Sequence, residues 1–248
     1  SPEDDIELRR IRIINRSRAR RAVDFTTYAE VVMAPAPADT LHPAFSKLFV
    51  QTEILREKRA LLCTRRPRSR DEQPAWMFHL ATVRGGLPGE LSFETDRATF
   101  IGRGRTAANP RALATNEPLS GREGPVLDPI VAIQQQIVLE PDQSVTIDVV
   151  TGVAATRDVA EHLIDRYHDR HLADRVFGLA WTHSQVVLRQ LDITESEAQV
   201  YQRLAGAVAY AGAALRADVS TVLSNRRGQS SLWGYAISGD LPIVLLKI

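Results

Sequence analysis

Cysteine, lysine and long apolar runs are what this chain has least of. Its single cysteine, Cys63, rules out an internal disulfide. Cys63 sits in the apolar run Ala60-Leu61-Leu62-Cys63, which marks a buried structural thiol. A catalytic thiol needs an exposed, electropositive setting with a base at hand, and a lone cysteine suits a reducing compartment. Lysine occurs only as Lys47, Lys58 and Lys247, so nearly all positive charge is arginine. No stretch approaches the roughly eighteen apolar residues that a membrane span requires, so this segment itself is not expected to contact a membrane. Neither sign of charge dominates: 31 Lys and Arg face 30 Asp and Glu, for a net charge of +1. That balance argues against a nucleic-acid binder. The basic clusters at Arg9-Arg10, 16–21 and 65–70 are expected to be solvated or paired within the chain. No phosphate-cradling glycine loop of the Walker or dinucleotide type occurs, since Gly102-Arg103-Gly104 lacks the remaining spacing. No cofactor is therefore expected.

What is present is an ordinary globular composition, 44% hydrophobic and 25% charged over 248 residues, enough to bury one large core or two smaller ones. The first part is patterned for strands. Ile6, Leu8, Ile11 and Ile13 are interleaved with charged residues, and alternation resumes at Val23, Phe25 and Thr27. Further short strands are expected at 48–52, 60–64, 76–82, 130–139 and 145–150. Gly85-Gly86 with Pro88-Gly89, and Glu140-Pro141-Asp142-Gln143, are expected to be turns, and Pro35 and Pro37 to break the chain. Helical spacing takes over after Thr156. Val159, Ala160, Leu163, Ile164 and Tyr167 share one face, and Val176, Phe177, Leu179, Ala180, Val187, Leu188 and Leu191 extend a second helix. Thr194-Glu195-Ser196-Glu197 is a capping box for a third, with Val200, Tyr201, Leu204 and Val208 inward. Strands followed by helices predict an α+β chain: a β-sandwich over 1–155 and a helical region over 156–248. The chain opens on Ser-Pro-Glu-Asp-Asp, with neither a signal peptide nor a starting Met. It closes inside the apolar run Pro242-Ile243-Val244-Leu245-Leu246-Lys247-Ile248, so the expectation is an excised piece leading towards a further module.

The stretch Phe93-Glu94-Thr95-Asp96-Arg97-Ala98-Thr99-Phe100-Ile101-Gly102-Arg103-Gly104-Arg105 carries the most chemistry. Arg103 and Arg105 bear planar donor forks suited to carboxylate, phosphate or paired sugar hydroxyls, on glycines that allow unusual backbone angles. Two readings stand from the residues alone. Either Glu94 and Asp96 pin a loop by pairing with Arg97, Arg103 and Arg105, or the loop contacts a ligand. Asp128, before Pro129, and Asp240, after Ser238-Gly239, read as turn or cap residues. His168 and His171, three apart, lack the converging ligands a metal site needs. Aromatic platforms for a sugar ring are Trp76, Trp181, Trp233, Tyr235 and Phe100. Trp181 is expected in the core, while Trp233 and Tyr235 beside Asp240 are the better contact candidates.

Five blocks, in order along the chain, carry a family resemblance. They are Thr27-Tyr28-Ala29-Glu30-Val31-Val32; His42-Pro43-Ala44-Phe45-Ser46-Lys47-Leu48-Phe49; Glu94 to Arg105; Leu127-Asp128-Pro129-Ile130; and Ile237-Ser238-Gly239-Asp240-Leu241-Pro242-Ile243. Together they resemble the non-catalytic sandwich of the cyclic β-1,2-glucan synthases, whose C-terminal part is similar to the inverting phosphorylases of glycoside hydrolase family 94. The resemblance implies a mainly antiparallel super-sandwich of the carbohydrate-binding, galactose-mutarotase-like kind, then linker helices. It implies a bacterial inner-membrane parent that polymerises glucose from UDP-glucose, with this segment on the cytoplasmic side. The parent cyclises the chain and adjusts its length with a phosphorylase-like part. Acid and phosphate-binding groups of such phosphorylases lie in a downstream (α/α)6 barrel, and no stretch here matches the acid segment. The resulting expectation is a scaffold without a complete active site. Its contacts to β-1,2-glucan or to other domains of the parent would run through Glu94, Asp96, Arg97, Arg103, Arg105, Trp233, Tyr235 and Asp240. The alternatives are a self-contained phosphorylase or glycosidase, and a purely structural interaction module.

Overall fold

Alternation of apolar and polar residues builds two antiparallel sheets. The computed structural model describes residues 1–67, 69–115, 117–210, 212–213, 216–241 and 243. Two compact units divide it, Ser1–Trp181 and Thr182–Ile248. In the first unit, one sheet runs β1 (Ile6–Ile14), β9 (Ser144–Ala154), β6 (Trp76–Arg84), β5 (Ala60–Arg65), β4 (Val50–Leu55), in that spatial order. The other is centred on β8 (Pro129–Leu139), which pairs with β7 (Leu87–Asp96) and with β2 (Arg21–Thr26) and β3 (Ala29–Glu30). β2 meets the C-terminal half of β8, whereas β3 meets its start, Glu30 opposite Ile130. Two short helices, α1 (Ala36–Leu41) and α2 (Pro43–Lys47), lead from β3 to β4.

Three apolar layers follow from the side-chain period of two. Ile54, Leu61, Cys63, Ile147 and Val149 of the first sheet meet Phe93, Val131, Ile133, Ile137 and Leu139 of the second. On the outer face of the first sheet, Leu62, Phe78, Leu80 and Val150 pack against Ala160, Leu163, Ile164 and Tyr167 of α4 (Arg157–Tyr167). On the outer face of the second, Ile130 and Ala132 are covered by Phe100 and Ile101 of α3 (Arg97–Ile101). Because α4 closes the outer face of the first sheet, the first unit runs past the change from strands to helices and on to Trp181. Gly152 of β9 is fitted to this layer: a Cβ there would lie 2.4 Å from the Phe78 ring and 2.7 Å from Ile6. Buried His79 ties the sheets together, its ring nitrogens 2.9 Å from the Thr27 hydroxyl and 2.8 Å from that of Thr151.

Several sequence expectations need correction. Pro88-Gly89 is not a turn but lies within β7: Pro88 pairs with Ile137, and a bulge before Leu91 takes up Gly89 and Glu90. Residues 94–105 are not one loop: β7 ends at Asp96 and α3 follows directly. Pro35 and Pro37 do not simply break the chain; they open α1, where a proline costs no hydrogen bond. Val159 on α4 is exposed, because the face that α4 buries runs along Ala160, Leu163, Ile164 and Tyr167.

The second unit contains α6 (Glu195–Ala209), α7 (Val219–Ser224) and a 3-10 segment, Gln229–Tyr235. Thr194 and Glu197 form the expected reciprocal capping box of α6. Val200 and Tyr201, expected inward, are exposed, and so is Trp181 at the end of the first unit, 68% exposed rather than core. Helical spacing shows that such residues share a face, not that the face is covered. Of the C-terminal apolar run, only Ile243 is among the described residues. Among those residues no helix is long and apolar enough to cross a membrane.

Candidate functional site

Residues from four distant stretches meet at the start of β8. Arg97 is the first residue of α3, and its backbone N–H donates to the Asp128 carbonyl at 2.9 Å. Its Nε donates to Glu30 Oε1 at 2.9 Å and to the Tyr28 hydroxyl at 3.2 Å, and its Nη1 lies 3.5 Å from Asp128 Oδ2. The Tyr28 hydroxyl donates to Glu30 at 3.0 Å. Lys47, from α2, donates to Asp128 Oδ1 at 2.7 Å and lies 3.9 Å from Glu30. Two cations and two carboxylates thus form a half-exposed, charge-balanced network, and Tyr28 stacks on Phe100 at 5.1 Å beneath it. Phe100 is 3% exposed and offers no platform for a sugar.

Behind the network, both acids of the Glu94-Asp96 pair are consumed by the backbone and by a different arginine. Glu94 is 1% exposed. Its Oε1 accepts from the N–H groups of Thr95 and Asp96, each at 2.9 Å, and its Oε2 from the Ser120 hydroxyl. Asp96 caps α3, accepting from the Ala98 N–H at 3.0 Å and the Thr99 hydroxyl at 2.9 Å, and it pairs with Arg122 at 2.5 Å. Among the described residues neither acid forms an ion pair with Arg97, Arg103 or Arg105. The loop-pinning reading is therefore overturned. Arg103 and Arg105 are exposed on the turn after α3, and no described side chain pairs with them. The glycines between them serve the backbone. Gly102 ends α3 at φ 81°, ψ 155°, with Arg111 Cβ 2.7 Å from where its own Cβ would stand. Gly104 turns at φ 72° in open space.

The charges are tuned away from acid catalysis. Burial by itself would raise the Glu30 carboxyl, but hydrogen bonds from Tyr28 and Arg97 and the nearby Lys47 hold it below its ordinary value. Burial likewise opposes ionisation of Asp96, and its bonds from Thr99, Arg122 and Ala98 outweigh that, again lowering it. A general acid working near neutrality needs a raised pKa, so neither group is prepared to protonate a leaving oxygen.

Other candidates stand elsewhere. Trp76 is roofed by the Arg157 guanidinium, 5.5 Å from its ring centroid, which Glu53 grips through two bonds of 2.6 and 2.7 Å. His168 ends α4 and meets the Lys58 carbonyl at 2.7 Å, whereas His171 belongs to α5 (Arg170–Gln190). The chain breaks between α4 and α5 at His168-Asp169, so the two histidines lie on different helices. In the second unit, Trp233 and Tyr235 are 65% and 72% exposed. Asp240 accepts from Gln229 Nε2 at 2.7 Å, which steadies the turn at Gly239. Sequence reasoning did not assign Tyr28, Glu30, Lys47 or Arg122 to a site. The signals for the first three were their places in the family blocks and the scarcity of lysine; for Arg122 there was none.

Comparison with known proteins places the chain among characterised sequences. The family model described as glycosyl hydrolase 94, supersandwich domain, matches residues 1–170. The cyclic beta-(1,2)-glucan synthase NdvB of Rhizobium meliloti (strain 1021) is 38% identical over 246 residues, covering 99% of this chain and 9% of that protein. The chain thus spans under a tenth of the length of this curated relative.

Proposed function

The chain belongs to the glycosyl hydrolase 94 supersandwich-domain family, and from that premise we propose that it is a non-catalytic scaffold and glucan-contact segment of a cyclic β-1,2-glucan synthase. The parent would be a bacterial inner-membrane protein with this segment on its cytoplasmic side, supporting the phosphorylase-like part that adjusts glucan chain length. One observation carries the contact role: Arg103 and Arg105 stand exposed, with no partner among the described side chains, on a turn whose base is fixed by the Tyr28–Glu30–Lys47–Arg97–Asp128 network. A guanidinium that spends no donors within its own chain keeps all five for the hydroxyls of a sugar or the surface of a neighbouring module. Trp233, Tyr235 and Asp240 are the proposed contacts of the second unit.

The test is calorimetric or NMR titration of the chain with linear β-1,2-glucan oligosaccharides, repeated with Arg103→Ala/Arg105→Ala. Saturable binding that the double substitution abolishes supports the reading. Binding that survives it removes the turn from the glucan path. No binding by either protein leaves a scaffold whose turn meets only other parts of the parent. The reading as a self-contained enzyme would require glucose 1-phosphate release from β-1,2-glucan and phosphate, and the lowered Glu30 and Asp96 argue against it.

A further inference from the structure

We propose that the open end of the space between the two sheets binds a small ligand with an oxyanion head and an apolar body, gripped by Arg65. In β5, Leu61 and Cys63 face the inter-sheet core, and Arg65 is the next residue on that face. It is 6% exposed. Its Nε and Nη2 are sealed from solvent and have no hydrogen-bond partner among the described residues. Those two nitrogens occupy one edge of the guanidinium and present parallel N–H groups, the geometry that takes both oxygens of a carboxylate or phosphate. The Phe49 ring, its centroid 5.6 Å from Cζ, gives the charge a π contact but no acceptor for that edge. Native proteins leave few buried donors unpaired, and a buried charge without a counter-charge is strongly unfavourable.

A cleft of about 390 Å³ adjoins this residue. Its floor is the part of the first sheet that the second leaves uncovered. Met77 and Val153 stand opposite each other there in β6 and β9, and Val153 is 46% exposed although its strand neighbours Ile147 and Val149 on the same face are core. Pro35 and Pro74 form part of the walls, and Glu72 adds a polar edge. A largely apolar cleft beside a cationic fork that no described group pairs with fits an amphiphilic anion whose head group keeps to the fork and away from the Glu72 carboxylate. Both donors are closed off in the unliganded chain, so the cleft lining must yield for the head group to seat. This site is independent of the glucan reading, which rests on the 102–105 turn.

The test is NMR titration of the chain with hexanoate, hexyl phosphate and 1-hexanol. Either anion should give saturable shifts at residues 32–35, 72–77 and 153, and the tighter of the two identifies the head group. Loss of two charge-assisted hydrogen bonds in Arg65→Met should weaken binding at least about tenfold. Arg65→Met should also match or exceed the parent's urea midpoint, since it removes an unpaired buried charge. Should that variant fail to fold, Val153→Trp, which fills the cleft and leaves Arg65 in place, should abolish the shifts. Equal binding of hexanol, no saturation by either anion, binding unchanged in Arg65→Met, or binding unchanged in Val153→Trp would overturn the proposal.

Discussion

Acidification from about pH 6.5 towards 4 should loosen the sandwich through His79. Burial between the sheets pushes the His79 imidazole down to about 4, while the unfolded chain restores it to about 6.5. Between those values the unfolded state takes up a proton that the folded state refuses. Stability attributable to this residue is therefore intact above about pH 6.5, falls as pH drops towards 4, and is flat below. A difference of about 2.5 units at about 1.4 kcal/mol each gives a loss of roughly 3 kcal/mol across the window, a sizeable part of the total stability of a typical domain. His79→Gln keeps a side chain able to donate to one threonine hydroxyl and accept from the other, but does not titrate. Urea unfolding at half-unit intervals from pH 7.5 to 4 should show the parent losing roughly 3 kcal/mol more than the variant over that range. Two curves that stay parallel within about 1 kcal/mol would refute it, because the burial argument requires the difference to grow with every proton refused.

Asp148 is fully buried between Arg10 and Arg84, so Asp148→Asn should cost about 3 kcal/mol at pH 7 in urea unfolding. Burial alone would raise this carboxyl, but the hydrogen bonds from Arg10 and Arg84 lower it, so the cost should persist down to about pH 4 and shrink only as the folded carboxyl protonates below that. Gly152→Ala places a methyl inside the Phe78 ring contact and should cost about 1–3 kcal/mol by thermal unfolding. Gly102→Ala, with its clash against Arg111 at φ 81°, should destabilise by about 1–3 kcal/mol and more than Gly104→Ala, which meets no neighbour; equal losses would reject the packing argument. Burial pushes the Cys63 thiol up to about 12, so a thiol reagent at pH 8 should leave it unmodified in the folded chain and react once urea unfolds it.

β1 was readable in the sequence because one face is buried and the other wet, and period two is a direct record of a half-buried strand. β5, β6 and β8 are buried on both faces and are legible instead as short apolar runs between turns. β7 escaped because Pro88-Gly89 carries turn chemistry that a bulge can absorb, and bulges depend on the partner strand rather than on local residues. The arginine-rich stretch was legible as chemistry but not as geometry. Asp96 reads equally well as a partner of Arg103 and as a helix cap, and which role it takes is decided by Arg122, brought up from 26 residues away. Lys47 and Asp128, separated by 81 residues and joined at 2.7 Å, leave no local trace of their meeting. Trp181, Val200 and Tyr201 fit helical periodicity and are exposed all the same.

Arginine in place of lysine becomes intelligible when each guanidinium is followed to its partners. Arg10 grips both oxygens of buried Asp148 and reaches Asp174 as well. Arg157 takes both oxygens of Glu53 and also binds Glu161. Arg97 joins Tyr28, Glu30 and Asp128. Each is a fork bridging two or three elements, which a single ammonium point charge does not reproduce. Arg10 neutralises Asp148, a carboxylate that would otherwise resist burial, whereas Arg157 and Arg97 tie together carboxylates that stay partly exposed. Arg65, Arg103 and Arg105 depart from the pattern in opposite ways: none has a partner among the described side chains, but the first is buried and the other two are exposed. An exposed guanidinium without a partner costs little and suits a partner that comes and goes. A buried one is costly to keep, which suits a ligand whose head group displaces the cleft lining and stays. The two kinds of unpaired cation therefore point to two different occupants.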